Sequence, residues 1–180
     1  MSRYFVSITL PSDIQKQLDE IVPENRVWRK SKCSHLHITL RYIGDTDAAA
    51  IEQIESKLAK IEIPEFTLRL REIGFFPEQG KVRVIWFGAE KSSTLMALQS
   101  LADMHVSEII KSESEHSFTP HVTLARVKSG VKREIAQSLI PEIDKVIECR
   151  IKSFQLMESR QGIDGLEHIP LANYQLKKNG

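Results

Sequence analysis

The tetrapeptide His-x-Thr-Leu occurs twice in this chain, as His37-Ile38-Thr39-Leu40 and as His121-Val122-Thr123-Leu124. With 6 His, 7 Thr and 16 Leu among 180 residues, a shuffled sequence of this composition would hold about 0.02 such matches. Each copy lies where apolar and polar residues alternate, so each reads as a half-buried strand. On such a strand the imidazole and the hydroxyl share one face. The apolar neighbours (Leu36, Ile38 and Leu40; Val122 and Leu124) are buried on the other. The fold must therefore bring two similar strands together around two histidines and two threonines.

The charge pattern around the motifs points to an anionic ligand. Net charge is only +1, but its distribution is uneven. From Arg26 to Arg41 the chain carries Arg26, Arg29, Lys30, Lys32 and Arg41 with no acid. From His116 to Arg133 it carries Arg126, Lys128, Lys132 and Arg133, again with no acid. Both motifs lie in these windows, where a local positive field would favour an anion. No run of 18 apolar residues exists, so a spanning helix is not expected. The N-terminal residues lack the apolar core and cleavage site of a signal peptide, and a cytoplasmic protein is expected. Cys33 and Cys149 form neither a metal spacing nor a disulfide framework.

Periodicity predicts an α+β chain. Strands are expected at Tyr4 to Leu10, Leu36 to Tyr42, Phe66 to Ile73, Val82 to Phe87, His121 to Val127, Val146 to Met157 and His168 to Leu176. The last two are joined by a turn at Gly162-Ile163-Asp164-Gly165. Helices are expected from Ser12, as N-cap, to Val22, and at Ala48 to Lys60, Thr94 to Ile110 and Glu134 to Leu139. The order suggests a unit used twice: two lobes related by pseudo-symmetry, within one bilobal domain over 1–180. Antiparallel sheets would line a central cleft, with helices on the outer faces.

Two imidazoles and two hydroxyls suit a phosphodiester. Its hydrolysis needs a base for water and an acid for the leaving oxygen on the opposite side. Imidazoles near pKa 6.5 can hold both states at neutral pH. Threonine hydroxyls can donate to the non-bridging oxygens, where charge resides in the transition state. This chemistry calls for neither metal nor cofactor. A zinc site from His35, His37 and His121 is a competing reading, but it leaves the threonines without a role. Arg41, four residues after His37, falls on the same strand face by plain alternation and is a candidate substrate contact. Tyr4, Phe5, Trp28 and Phe76 are candidate stacking surfaces for a nucleobase, with core packing the alternative.

The two motifs resemble the paired signatures of the 2H phosphoesterase superfamily. Further segments resemble its RNA 2′,3′-cyclic phosphodiesterase (2′-5′ RNA ligase) branch. They are the opening Arg3 to Pro11, His35 to Gly44 around the first motif, Gly74-Phe75-Phe76-Pro77 with Val82 to Trp86, and Phe118 to Arg126. His35 departs from the pattern, where Asn is commoner. The resemblance implies a two-lobed fold and hydrolysis of an RNA terminal 2′,3′-cyclic phosphate to a 2′-phosphate, in some members with reversible 2′-5′ joining of RNA ends. It implies RNA ends or nucleoside 2′,3′-cyclic phosphates as partners, His37 as acid and His121 as base. It also makes Arg126 a phosphate contact. Plain alternation puts Arg126 on the wrong face, so the reading requires a β-bulge near Ala125 or an end-of-strand twist. A phosphoesterase for another small cyclic phosphate, or a non-catalytic single-stranded RNA-binding module, would carry many of the same residues. Two internal lobes complete the site without a second copy, so a monomer is expected.

Overall fold

The computed structural model describes residues 3–111, 117–163 and 165–178. His116, which opens the second basic window, and Asp164 of the last turn lie outside them. The strands are β1 (Arg3–Thr9), β2 (Trp28–Lys30), β3 (His37–Gly44), β4 (Phe66–Phe76), β5 (Val82–Ala89), β6 (His121–Val131), β7 (Ile147–Ile151), β8 (Ser153–Gly162) and β9 (Gly165–Gln175). The helices are α1 (Ser12–Asp19), α2 (Ala48–Leu58), α3 (Ser93–Ser107) and α4 (Arg133–Ser138), and a 3₁₀ turn spans Cys33–His35.

Local signals explain most of these boundaries. Asp47 caps α2 by accepting from the Ala50 amide at 2.8 Å, and Ser92 caps α3 by accepting from the Leu95 amide at 3.2 Å. In α1 the cap position falls on Pro11, whose extended backbone leaves Ser12 as the first helical residue. That helix ends at Asp19, short of the expected Val22, although Ile21 and Val22 remain buried. The segment expected as one strand from Val146 to Met157 is two, separated at Lys152. Strand β2 was not expected, because its polar residues carry no period-two apolar signal.

The strands form one antiparallel sheet in the order β7-β4-β5-β6-β3-β1-β8-β9, with β2 attached to β6. The two motif strands are the central pair, and each half repeats the same chain path. A strand, a helix and a motif strand follow one another as β1-α1-β3 on one side and β5-α3-β6 on the other. The outer strands are exchanged between halves relative to chain order. The hairpin β4–β5 follows the first motif but lies in the half of the second, while β8–β9 returns to flank β1. A sequence repeat read in order would not reveal this exchange.

At the centre β3 and β6 share a single antiparallel bridge, Ile38 to Val122. Both residues are fully buried among the core residues of α1, α2 and α3. Beyond the bridge the strands separate, and β2 occupies part of the freed β6 edge through Lys30–Ala125, Arg29–Arg126 and Trp28–Val127.

Equivalent β-bulges interrupt both motif strands. Ser7 pairs with Thr39 and Val6 with Arg41, which leaves Leu40 as an extra residue. Trp86 pairs with Thr123 and Ile85 with Ala125, which leaves Leu124 extra. Each bulge reverses the alternation that follows it. Arg41 is therefore turned away from His37 and is 7% exposed, with its Nε 3.0 Å from Asp103 Oδ1 of α3. The expected substrate contact is instead a tie between sheet and helix. Asp103→Ala removes this ion pair from a buried guanidinium and should lower stability by roughly 1–3 kcal/mol. Urea denaturation checks this, and a midpoint unchanged from wild type would contradict it.

Candidate active site

The bridge fixes how the two motifs meet. Its antiparallel register sets His37 across from Thr123 and Thr39 across from His121. The two histidines therefore occupy a diagonal across the bridge, near enough for both to line one pocket. All four side chains line a pocket of about 720 Å³, within the range that takes a nucleotide-sized ligand. Arg29, Lys30, Ser31, Lys32, His35, Arg126, Gly165, Leu166 and His168 complete its lining, and no carboxylate of the described residues is among them.

Both imidazoles are held in the same way. His37 Nδ1 lies 2.6 Å from the His35 carbonyl oxygen, and His121 Nδ1 lies 2.7 Å from that of Thr119. A carbonyl can only accept, so Nδ1 carries the hydrogen in each ring and Nε2 is left to exchange protons. The Thr39 hydroxyl lies 3.2 Å from His37 Nε2. Aromatic rings fix the orientation further. Phe5 stacks on His37 with centroids 5.0 Å apart, while Phe76 and Trp86 approach His121 at 5.0 and 5.7 Å. The indole can sit there because its cross-strand neighbour is Gly74, where a Cβ would come within 2.0 Å of the ring.

The proton affinities follow from burial and positive surroundings. Burial pushes the His37 pKa below the ordinary 6.5, and the neighbouring His35, His121 and Arg126 lower it further against the pull of the carbonyl bond. Burial likewise lowers His121, with Arg126 acting in the same direction. Both rings are therefore poised to gain proton affinity when an anion enters.

The sequence matches the family model of the 2'-5' RNA ligase superfamily over residues 10–163. The chain belongs to this superfamily. It is 27% identical over 187 residues to an RNA 2',3'-cyclic phosphodiesterase of Thermus thermophilus, covering 97% of this chain and 90% of that protein. An RNA 2',3'-cyclic phosphodiesterase of Aeropyrum pernix is 31% identical over 134 residues, covering 71% of this chain and 76% of the relative. In fold, the chain resembles the crystal structure of E. coli LigT complexed with 3'-AMP, with a TM-score of 0.83, 24% identity and 98% of each chain covered.

Within this superfamily fold, the pocket gathers His37, Thr39, His121, Thr123 and Arg126 from the residues singled out in the sequence. The bulge at Leu124–Ala125 returns Arg126 to the pocket side, as its proposed role required. The aromatic candidates fare differently. Phe5 is only 5% exposed and lies behind His37, where it supports the ring and offers no open face. Tyr4 packs on the hydrophobic core. Trp28 is buried, its Nε1 donating to the Pro23 carbonyl at 2.9 Å. Phe76 remains beside the site through its edge contact with His121. As for the zinc reading, His35 is stacked on His168, and no His, Cys, Asp or Glu group among the described residues is arranged to hold a metal.

Sequence reasoning missed His168. It lies on β9, its ring 4.5 Å from His35 in a parallel stack and 5.2 Å from His37 edge-on. Burial, with His37 and His35 alongside, lowers its pKa to about 4. Nothing near position 168 advertises this, because the contact depends on β8–β9 returning to the first half of the sheet. Each of these native pKa values lies below that of an unfolded histidine. Native histidines thus resist protons that the unfolded chain accepts, and stability should fall as pH drops below 6.5 toward 4. NMR titration should find His37 and His121 below 6.5 in free protein and raised by inorganic phosphate. Values at or above 6.5 without ligand would contradict this electrostatic picture.

Proposed function

We propose that this protein hydrolyses the terminal 2′,3′-cyclic phosphate of RNA to a 2′-phosphomonoester, with His37 and His121 as general acid and base. The observation that carries the reading is the pair of Nδ1-anchored imidazoles, offered with two threonines to one pocket that no carboxylate among the described residues lines. Names of the relatives from Thermus thermophilus and Aeropyrum pernix support the same substrate class.

The cyclic phosphate sits between the two Nε2 atoms. One imidazole takes a proton from water as its oxygen attacks phosphorus. The other, protonated, gives a proton to the departing 3′ oxygen, so the P–O3′ bond breaks and the 2′ ester remains. In the assignment implied by the superfamily resemblance, His37 is the acid and His121 the base. Thr39 and Thr123 donate to the non-bridging oxygens, and Arg126 offsets the charge that develops there. Each half of the chain contributes one imidazole, so the two lobes work as a single unit over 1–180. With an RNA 5′-hydroxyl in place of water, the same displacement joins two RNA ends through a 2′-5′ linkage.

A nucleoside 2′,3′-cyclic phosphate followed by phosphorus NMR tests the reading. The product should be the 2′-phosphate, formed equally well with a chelator present. His37→Ala and His121→Ala should each lower kcat by about 10²–10⁴ with the fold intact. Wild-type rates in both variants would sink the proposal. RNA binding without turnover would favour a non-catalytic module, and turnover of other cyclic phosphates alone would favour a different small substrate.

A further inference from the structure

The two-histidine centre gives no task to Arg29, a cation of the same pocket. Arg29 is exposed, lines the pocket and stands directly across from Arg126 in the β2–β6 pair. Like charges directly opposite one another on a sheet destabilise the pairing. Neither arginine forms a salt bridge with a carboxylate among the described residues.

The placement of Arg29 is built in. Its neighbours Trp28 and Lys30 are both anchored. Trp28 donates to the Pro23 carbonyl, and Lys30 Nζ contacts the Asp19 carbonyl at 2.7 Å and its carboxylate at 3.2 Å. At the far end, Ser31 ties the strand to β6 through its amide to the Leu124 carbonyl at 2.8 Å and its hydroxyl to the Thr123 carbonyl at 2.7 Å. Arg29 is thus held between two anchored neighbours. Running from Ser31 back to Trp28, β2 leads away from the motif at Thr123 toward Val127. Arg29 pairs with Arg126, past Leu124, the last residue of the second motif. It therefore stands beyond the reacting centre, on the wall of the same pocket.

We propose that Arg29 forms a second phosphate subsite, which binds the phosphate on the 5′ oxygen of the terminal nucleotide while the cyclic phosphate occupies the two-histidine centre. This rests on the function proposed above and extends it to the substrate. The enzyme is matched to an RNA end, or to a 5′-phosphorylated nucleoside cyclic phosphate, in preference to the bare nucleoside 2′,3′-cyclic phosphate. A guanidinium fork suits such a phosphodiester, which fixes the position of the strand without reading its sequence.

Three substrates test the subsite: cytidine 2′,3′-cyclic phosphate, its 5′-phosphorylated form, and the dinucleotide CpC with the same cyclic end. Wild-type kcat/KM should be about tenfold or more higher for the two that carry the 5′ phosphate. Arg29→Gln should abolish most of that preference, with the loss in the phosphorylated substrates. Arg29→Lys should restore part of it. The salt dependence of dinucleotide binding should also fall in slope by about 0.7 in Arg29→Gln, as for one lost single-strand phosphate contact. Arg83→Gln, on an exposed arginine of β5 outside the pocket, should change neither. An unaltered preference in Arg29→Gln, or equal losses on all three substrates, would overturn the subsite alone. Wild-type protein that turns over none of the three overturns the proposed function, and the subsite with it.

Discussion

The site depends on one backbone bridge. Ile38 and Val122 pair where the halves of the sheet meet, and this pairing alone sets the motifs antiparallel and in register. A one-residue slip of either motif strand would turn its His and Thr into the core and its apolar residues into the pocket. The register is secured because both bridging residues are fully buried. On the opposite face, the same geometry delivers two imidazoles on a diagonal with a hydroxyl across from each. Burial on one side of the sheet thus produces chemistry on the other.

The bulges are the second constraint. A strict alternation would have placed Arg41 with His37 and sent Arg126 to the core. The extra residues Leu40 and Leu124 exchange those fates. Arg41 becomes an ion-pair partner for helix α3, and Arg126 becomes a cation over the histidines. Because the bulges fall at the same place after both motifs, they belong to the repeated unit.

Much of this was legible in the sequence, for definite reasons. Alternation around His37 and His121 declared two strands, and the acid-free windows declared the sign of the pocket. The requirement for a bulge near Ala125, or for an end-of-strand twist, could be stated from Arg126 alone. The matching bulge after His37 could not, because Arg41 already seemed well placed. Strand β2 carries no apolar period, and it is held by side-chain bonds of Trp28, Lys30 and Ser31 that no periodicity reports, the last of them to Thr123. The stacking of His168 on His35 requires the final hairpin to cross back to the first half. For Phe5 and Trp28 the sequence left core packing and stacking on a ligand both open, and burial settles them as packing residues.

The central claim is that two imidazoles from separate halves act on one phosphate. Residues that act as a unit lose their effects together, so their losses do not multiply. The direct measurement is kcat for hydrolysis of a nucleoside 2′,3′-cyclic phosphate in His37→Ala, His121→Ala and the double variant. The account predicts a double variant no slower than the slower single, within about twofold. Losses that multiply would show two histidines working independently and would contradict it.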